Sequence, residues 1–332
     1  MLLAGSTEVW NATWVAKTPR EAIARSPSSE LMNPRWRMGA YDWVDIISTC
    51  EFSGKVWAVF MKRSATVLII AGVLFLIFAF TVPPYVTGQA RTIPKDLDLT
   101  LVSESPQGFV RTEHIVTAPT SMVDEIATHV DQTVTDVQGK TVAEISDDVV
   151  LIGHSRFPVI EPTATISGSP ADSSNVVREG LHYFFPANTL RNSYPYYDIV
   201  LGEDYPVDYV SRDDNTYTFY QHLRYVPLDD SRTYSVERTL KVDRFSGIIV
   251  AKDEAMTFHG PDGDDTVEFT YTADTLKLLQ DNAHDIDQRL SWAKGFDFFS
   301  KFLGLSLLAI GVFLTGIFKR GRLMSTVNKL RS

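Results

Sequence analysis

SATVLIIAGVLFLIFAFTV, residues Ser64 to Val82, and FLGLSLLAIGVFLTGIF, residues Phe302 to Phe318, are two uncharged apolar runs near opposite ends of a 332-residue chain. Each approaches the roughly 20 residues that a helix needs to cross a hydrocarbon core about 30 Å thick. Lys62 and Arg63 precede the first run, and Lys319, Arg320 and Arg322 follow the second. The positive-inside rule then puts both termini in the cytoplasm and Tyr85 to about Asp297 outside, with Tyr85 at an interfacial aromatic position. Pro83 and Pro84 predict an end to the first helix. Gly88-Gln89-Ala90 offers small residues for signal cleavage, but a run to Val82 exceeds the roughly 7–15 residues of a signal h-region, so retention as an anchor is expected.

The segment between the runs, about 210 residues, is long enough for a sizeable core. From Thr87 to Asp297 it holds 35 Asp plus Glu against 17 Lys plus Arg, a balance of −18 that the whole-chain value of −10 conceals. A negative field of that size disfavours nucleic acid and anionic lipid surfaces as partners and suits cations, basic proteins or neutral ligands. The single cysteine, Cys50, lies before the first run, so the outer segment is held by packing rather than by disulfides.

Met1 to Phe60 reads differently, with five of the six tryptophans and no sustained helical or strand period. Met61-Lys62-Arg63 ahead of an apolar run has the form of a signal-anchor start, which predicts that residues 1–60 are a start-site artefact or a disordered extension.

Across Thr87 to Thr272 the pattern is strand-like. Leu97 to Leu101 alternates with period two, and Thr216 to Val226, Phe109 to Val116, Tyr234 to Val242, Gly247 to Ala251 and Val267 to Tyr271 are rich in β-branched and aromatic residues. Turn signals at Pro106-Gln107-Gly108, Pro227 to Asp230, Arg244 to Gly247 and Pro261-Asp262-Gly263 separate them. Ser121 is placed to cap a helix towards Val137, with Val123, Ile126, Ala127, Val130 and Val134 on one face. Glu161 to Arg178 reads as an exposed loop. From Asp274, Leu276, Leu279, Ala283, Ile286, Leu290, Ala293 and Phe296 form a helical stripe that no proline interrupts before the second run.

The expected fold is therefore membrane-anchored α+β. A transmembrane helix at residues 64–83 and another at 298–318 flank a β-rich antiparallel extracytoplasmic domain at 84–273. An amphipathic helix at 274–297 runs into the second anchor, and a basic tail occupies 319–332.

Catalytic and metal signals are weak. Gly153-His154-Ser155-Arg156-Phe157 lacks the second glycine of a nucleophile elbow. Pro261 to Asp265 is acidic, but Ala273 stands where a calcium loop starting at Asp262 requires glutamate. The seven histidines are scattered, and no glycine-rich phosphate loop occurs, so no enzyme activity, metal or cofactor is expected. The densest unusual segment is Leu181 to Asp198. Its aromatics Tyr183, Phe184, Phe185, Tyr194, Tyr196 and Tyr197 are the candidate lining of an apolar ligand pocket, with core packing as the plainer role. Arg191 and Asp198 are candidates to pair within it.

Phe185-Pro186, Thr189 and Tyr194-Pro195-Tyr196-Tyr197-Asp198, with the later Asp243-Arg244-Phe245-Ser246-Gly247 turn, resemble a family of actinobacterial two-pass membrane proteins of unknown function called the porin PorA family. The resemblance covers Met61 to about Arg322 and implies a corynebacterial or mycobacterial cell envelope. The plan of two anchors around a β-rich outer domain is also similar to that of the class B scavenger receptors, whose outer domain conducts lipids. Short strands interrupted by charges such as Arg224 and Glu237-Arg238 do not fit the lipid-facing alternation of a spanning barrel. The leading expectation is a plasma-membrane protein whose outer domain binds or passes an apolar or amphiphilic, lipid-like ligand. The alternatives are a scaffold or accessory subunit bound to an envelope protein partner or a second copy of itself, and a channel. Membrane lipids, not nucleic acid, are the expected partners.

Overall fold

Along most of the twelve strands found among the described residues, buried and exposed side chains alternate, and the strands join into one antiparallel sheet. The computed structural model describes residues 42–329, with side chains over 62–316. The chain divides into two units at Trp57/Ala58, and the sheet lies wholly in the second. Reading residues 1–60 as a start-site artefact or disordered extension falls on residues 1–41, outside those described, and on Asp42 to Phe60, whose backbone is helical rather than aperiodic.

Helix α1 (Asp42–Arg91) leads into strands β1 (Asp98–Glu104), β2 (Val110–Pro119), β3 (Glu125–Thr135), β4 (Thr141–Ile152), β5 (Ala164–Ser167) and β6 (Ser173–Val176). The second half comprises β7 (Tyr194–Asp198), β8 (Glu203–Asp213), β9 (Thr216–Pro227), β10 (Thr233–Asp243), β11 (Ile249–Gly260) and β12 (Gly263–Tyr271), followed by α2 (Ala273–Lys329). The order β6-β5-β4-β3-β2-β1-β12-β11-β10-β9-β8-β7 is two meanders joined where β1 meets β12. That join is short, with Ser103 opposite Tyr271 and Glu104 opposite Thr270. Helix α2 then takes over the vacated side of β1. Thr272 N donates to Val102 O at 3.0 Å, and Val102 N donates to Thr275 Oγ1 at 2.9 Å.

The sheet curls until its two ends meet. Ile199, after β7, packs with Ile166 of β5 and Tyr197, and Ser169 Oγ donates to Ile199 O. Residues 177–193 cross between the edges and carry Arg178, which pairs with Asp147 of β4 at 2.6 Å and stacks on Tyr197 of β7 at 3.8 Å. The aromatic segment joins the two halves of the core. Phe184 belongs to the cluster of Leu101, Ile115, Val130 and Val149, whereas Leu181, Phe185 and Tyr196 belong to that of Val207, Phe219 and Leu240.

Several expectations are corrected. Ser121 to Val137 forms no helix; most of it is β3, in which Ile126, Thr128 and Val130 point inward on alternate residues. Glu161 to Arg178 contains β5 and β6. Most of the strands are not short, since β4, β9 and β11 have 12 residues each, although β5 and β6 have 4 and β7 has 5, and Glu237 and Arg238 simply alternate outward and inward. Asp198 pairs with Arg238 at 2.6 Å instead of with Arg191, whose guanidinium lies over the Tyr209 and Tyr217 rings.

Pro83 and Pro84 lie inside α1, which continues to Arg91. Proline is tolerated within an apolar helix when a neighbouring helix supports it, and Ala293 and Asp297 of α2 line the same cleft as Pro83 and Pro84. Small residues let the two helices approach closely. Ala65, Gly72 and Ala79 are buried at seven-residue intervals, with Gly72 facing Gly304 and Ala65 facing Gly311. A Cβ on Gly72 would lie 2.8 Å from Gly304 O, and one on Gly311 would lie 3.1 Å from Ala65 O. Each helix contains a stretch long and apolar enough to cross a membrane.

Candidate functional site

The inward side chains of the curled sheet fall into three layers along the strands. On β2 the inward series is Arg111, Glu113 and Ile115; on β11 it is Phe258, Met256, Glu254 and Lys252; on β12 it is Phe269 and Tyr271. The middle of the interior is therefore ionic, with apolar layers on both sides.

Arg111, Arg238 and Lys252 meet Glu113, Glu254 and Asp198 there, and none is more than 6% exposed. Arg111 Nη1 donates to Glu254 Oε2 at 2.6 Å, and Arg238 Nε donates to Glu254 Oε1. Arg238 Nη1 also donates to Gln221 Oε1 at 2.7 Å. Lys252 Nζ stands 3.8 Å from both Glu113 Oε1 and Glu254 Oε2. Burial opposes ionisation of Glu254, but Lys252, Arg238 and Arg111 outweigh it and hold the carboxyl well below the ordinary range. Nearby, the Arg178–Asp147 pair accepts a third partner, with Tyr183 OH donating to Asp147 Oδ2 at 2.5 Å. Burial, then the Asp147 charge, pushes the Tyr183 hydroxyl well above its usual value.

Two cavities flank this ionic belt. The proximal one, about 210 Å³, lies against the helices between Ile93, Leu99, Leu101 and Ile115 of the sheet side and Leu279 and Ile286 of α2. Arg156 lines it almost fully buried, and its Nη1 donates to Phe185 O at 2.9 Å. Burial, only partly offset by Asp243, pulls this guanidinium down to about 10. The distal cavity, about 560 Å³, opens at the far rim. Its walls include Phe109, Val134, Ile145, Met256, Phe258 and Val267, and its floor is formed by Arg111, Arg238, Lys252 and Glu254.

Of the six aromatics expected to line a pocket, Tyr183 and Phe184 line the proximal cavity. Phe185, Tyr194 and Tyr196 pack in the second core cluster, where the Phe185 and Phe219 rings lie 4.9 Å apart, and Tyr197 lies under Arg178. Their neighbour His182 lines the distal cavity. Its Nδ1 pairs with Tyr197 O at 2.7 Å, and burial with Lys252 and Arg178 nearby pushes its protonation well below the ordinary histidine value. The belt residues were not among the expected site residues. Among the described residues no group of three or more His, Cys, Asp or Glu is arranged to hold a metal.

The family model described as Porin PorA matches residues 64–315, which include the whole sheet, the first apolar run and most of the second. The chain belongs to the porin PorA family. A curated relative named Porin PorA, from Corynebacterium resistens, is 26% identical over 230 residues, covering 54% of this chain and 52% of that protein. The chain thus spans about half the length of that relative. Within the family match lie the features that shape the interior: the belt, the Asp243-to-Gly247 turn and the glycine-rich contact between the helices.

Proposed function

We propose that this porin PorA family member is a non-enzymatic envelope protein, anchored in the plasma membrane by both helices, whose curled sheet holds an apolar or amphiphilic ligand outside the cytoplasm. The observation that carries this reading is the distribution of polarity across the sheet. Glu237, Lys241, Asp253, Asp264 and Glu268 project from the outer face into solvent, while the inner face encloses two cavities with mostly apolar walls on either side of the ionic belt. A barrel that spans a membrane needs an apolar outer face instead. The helices supply the membrane contact instead. Val67, Ile70, Phe78, Phe302, Leu305 and Phe313 are exposed along them, and Tyr85 and Trp292 stand at interfacial positions. Lys62 and Arg63 before one span, and Lys319, Arg320 and Arg322 after the other, support the reading with both termini inside.

Native mass spectrometry of protein purified from its own membranes tests this reading. Co-purifying lipid that is lost when Val134→Trp fills the distal cavity supports it; protein that carries no lipid under any mild extraction overturns it. The family description favours a second reading, a conducting pore. Since the sheet's outer face is charged, such a pore would be formed by several helix pairs rather than by the strands. Planar-bilayer recordings decide this point: unit conductance steps from purified protein support a pore, and a silent bilayer at high protein load removes it.

A further inference from the structure

The ionic belt is unevenly satisfied, and most of the shortfall lies on one side; on the other, only Asp198 Oδ2 lacks a hydrogen bond, although it is ion-paired with Arg238. Arg238 has every nitrogen matched: Nε with Glu254, Nη1 with Gln221, and Nη2 with Asp198 at 2.6 Å and the Tyr234 hydroxyl at 3.3 Å. Arg111 is equally buried, at 3% exposure, yet only Nη1 makes a hydrogen bond. Its Nε is 3.4 Å from Glu113 Oε1 without hydrogen-bond geometry, and Nη2 has no partner. Lys252 is 6% exposed and reaches its two carboxylates only at 3.8 Å, beyond hydrogen-bond length. Both side chains line the distal cavity.

Buried guanidinium and ammonium donors left without acceptors are costly, and neither group can accept a hydrogen bond. Whatever satisfies them must therefore be an acceptor. An ionised oxygen group serves best, because charge-assisted hydrogen bonds are the strong ones and a guanidinium edge matches carboxylate or phosphate oxygens. The belt's own three carboxylates equal its three cations in number, and against Arg111 Nε, Arg111 Nη2 and the Lys252 ammonium only one acceptor, Asp198 Oδ2, is left over beside Arg238, so the surplus at Arg111 and Lys252 is one of donors rather than of charge. Outside the belt, Asp265 is the remaining carboxylate on the lining, and it stands exposed at the mouth. Phe269 stacks on the Arg111 guanidinium, 4.4 Å from ring centroid to Cζ, and fixes its plane. Beyond these groups the walls are mostly apolar, with Gln132, His182 and Thr266 the other polar side chains, and about 560 Å³ falls within the range of sites that enclose a small molecule.

We propose that the distal cavity binds an acyl-chain amphiphile with an anionic oxygen head, carboxylate or phosphate, the head meeting Arg111 and Lys252 at the belt and the chain lying between Phe109, Val134, Met256 and Val267. The proposal rests on the amphiphile-binding reading above and adds the chemistry of the head and its place.

The test uses the full chain, delipidated and reconstituted in nanodiscs of neutral lipid. A long-chain fatty acid, a monoacyl phosphate and a monoacylglycerol of equal chain length compete against a fluorescent acyl probe. The expected result is that at least one anionic amphiphile binds about tenfold or more tighter than the neutral one, the advantage of one charge-assisted contact. The tighter of the two anionic compounds identifies the head. Lys252→Met, which breaks no hydrogen bond, removes that preference while leaving monoacylglycerol binding close to wild type; its melting temperature falls because Glu113 and Glu254 lose a nearby cation, so binding is compared well below both melting temperatures. Lys252→Arg retains the preference. Equal binding of neutral and anionic amphiphiles, or an undiminished preference in Lys252→Met, overturns the head assignment and leaves the amphiphile reading standing. Failure of all three to bind overturns both.

Discussion

Gly247 shows how a single residue holds the interior together. It sits at φ +72°, and a Cβ there would lie 2.1 Å from Phe185 O, while Phe185 N donates to Gly247 O at 2.9 Å. The turn thereby clamps the aromatic segment at the boundary between the two core clusters. Gly247→Ala must strain its own backbone and push Phe185 away, for a loss of about 1–3 kcal/mol or more. Gly139 has a similar φ of +75° but open space around it, so Gly139→Ala reports the backbone strain alone. Thermal melts of the two variants are expected to show the larger fall for Gly247→Ala; equal falls would mean that the contact with Phe185 is slack. His182 makes the interior sensitive to acid. Unfolded, it gains a proton near pH 6.5; folded, burial and then Lys252 and Arg178 delay protonation to well below that. Below about pH 6.5 the unfolded chain therefore binds more protons, and stability falls as pH falls. Glu254, also held low, adds a loss of the same sign only below about pH 4.3. His182→Asn keeps a donor for Tyr197 O without the titration, so its melting temperature should vary less between pH 7 and pH 5 than that of wild type; parallel profiles would remove His182 from the account. The same residues show why the belt is hard to read in the sequence. Arg111, Glu113, Lys252 and Glu254 look like solvent-facing charges, and only their phase betrays them, since each keeps step with the inward apolar residues of its strand.

At the scale of elements, the helix pair depends on a seam of small residues. Gly304→Leu would drive a side chain into the backbone of Gly72 and the side chain of Leu76, from which a Cβ alone would be only 3.0 and 2.9 Å distant. The helices would have to separate, with loss of the close packing that holds apolar helices together where hydrophobic burial gives no drive. Leu305 is exposed beside it, so Leu305→Ala changes helix surface without touching the seam. Melting in detergent, followed by far-UV circular dichroism, is expected to show a marked fall for Gly304→Leu and little change for Leu305→Ala; comparable effects would mean that the seam is not the contact that matters. The apolar runs were legible because composition alone marks them, and the long α2 because its stripe meets no proline. The extent of α1 was not, since support from a neighbouring helix overrides the local signal of Pro83-Pro84. Strand β3 was misread because Thr128, buried and polar, breaks the visible alternation of Ile126 and Val130 and leaves an apparent helical spacing.

For the whole molecule, the arrangement of the strands and the segregation of charge make one joint demand. Pairing β1 with β12 brings the two chain ends of the sheet side by side, so α1 and α2 leave it together. In the proposed topology, a segment carrying 35 acidic against 17 basic residues sits on one side of the two apolar spans, with basic residues beyond them on the other. Transfer of so acidic a segment to the outside is compatible with the positive-inside rule, which is set by the Lys and Arg near the spans and little by Asp or Glu. The single native cysteine allows both sides to be probed in one chain. Cys50 precedes the first span, and Asp230→Cys would place a thiol on the exposed turn between β9 and β10. In intact cells a membrane-impermeant maleimide is expected to label the Asp230→Cys, Cys50→Ser variant, while wild-type Cys50 reacts only after permeabilisation. Labelling of Cys50 in intact cells with the turn silent would invert the molecule, put both cavities in the cytoplasm, and remove envelope amphiphiles as their ligands. Labelling of both would show that α1 and α2 do not both cross, in which case the close antiparallel contact at Gly72 and Gly304 would have to form at the membrane surface, where the exposed Phe78, Phe80 and Phe302 would lose their lipid environment.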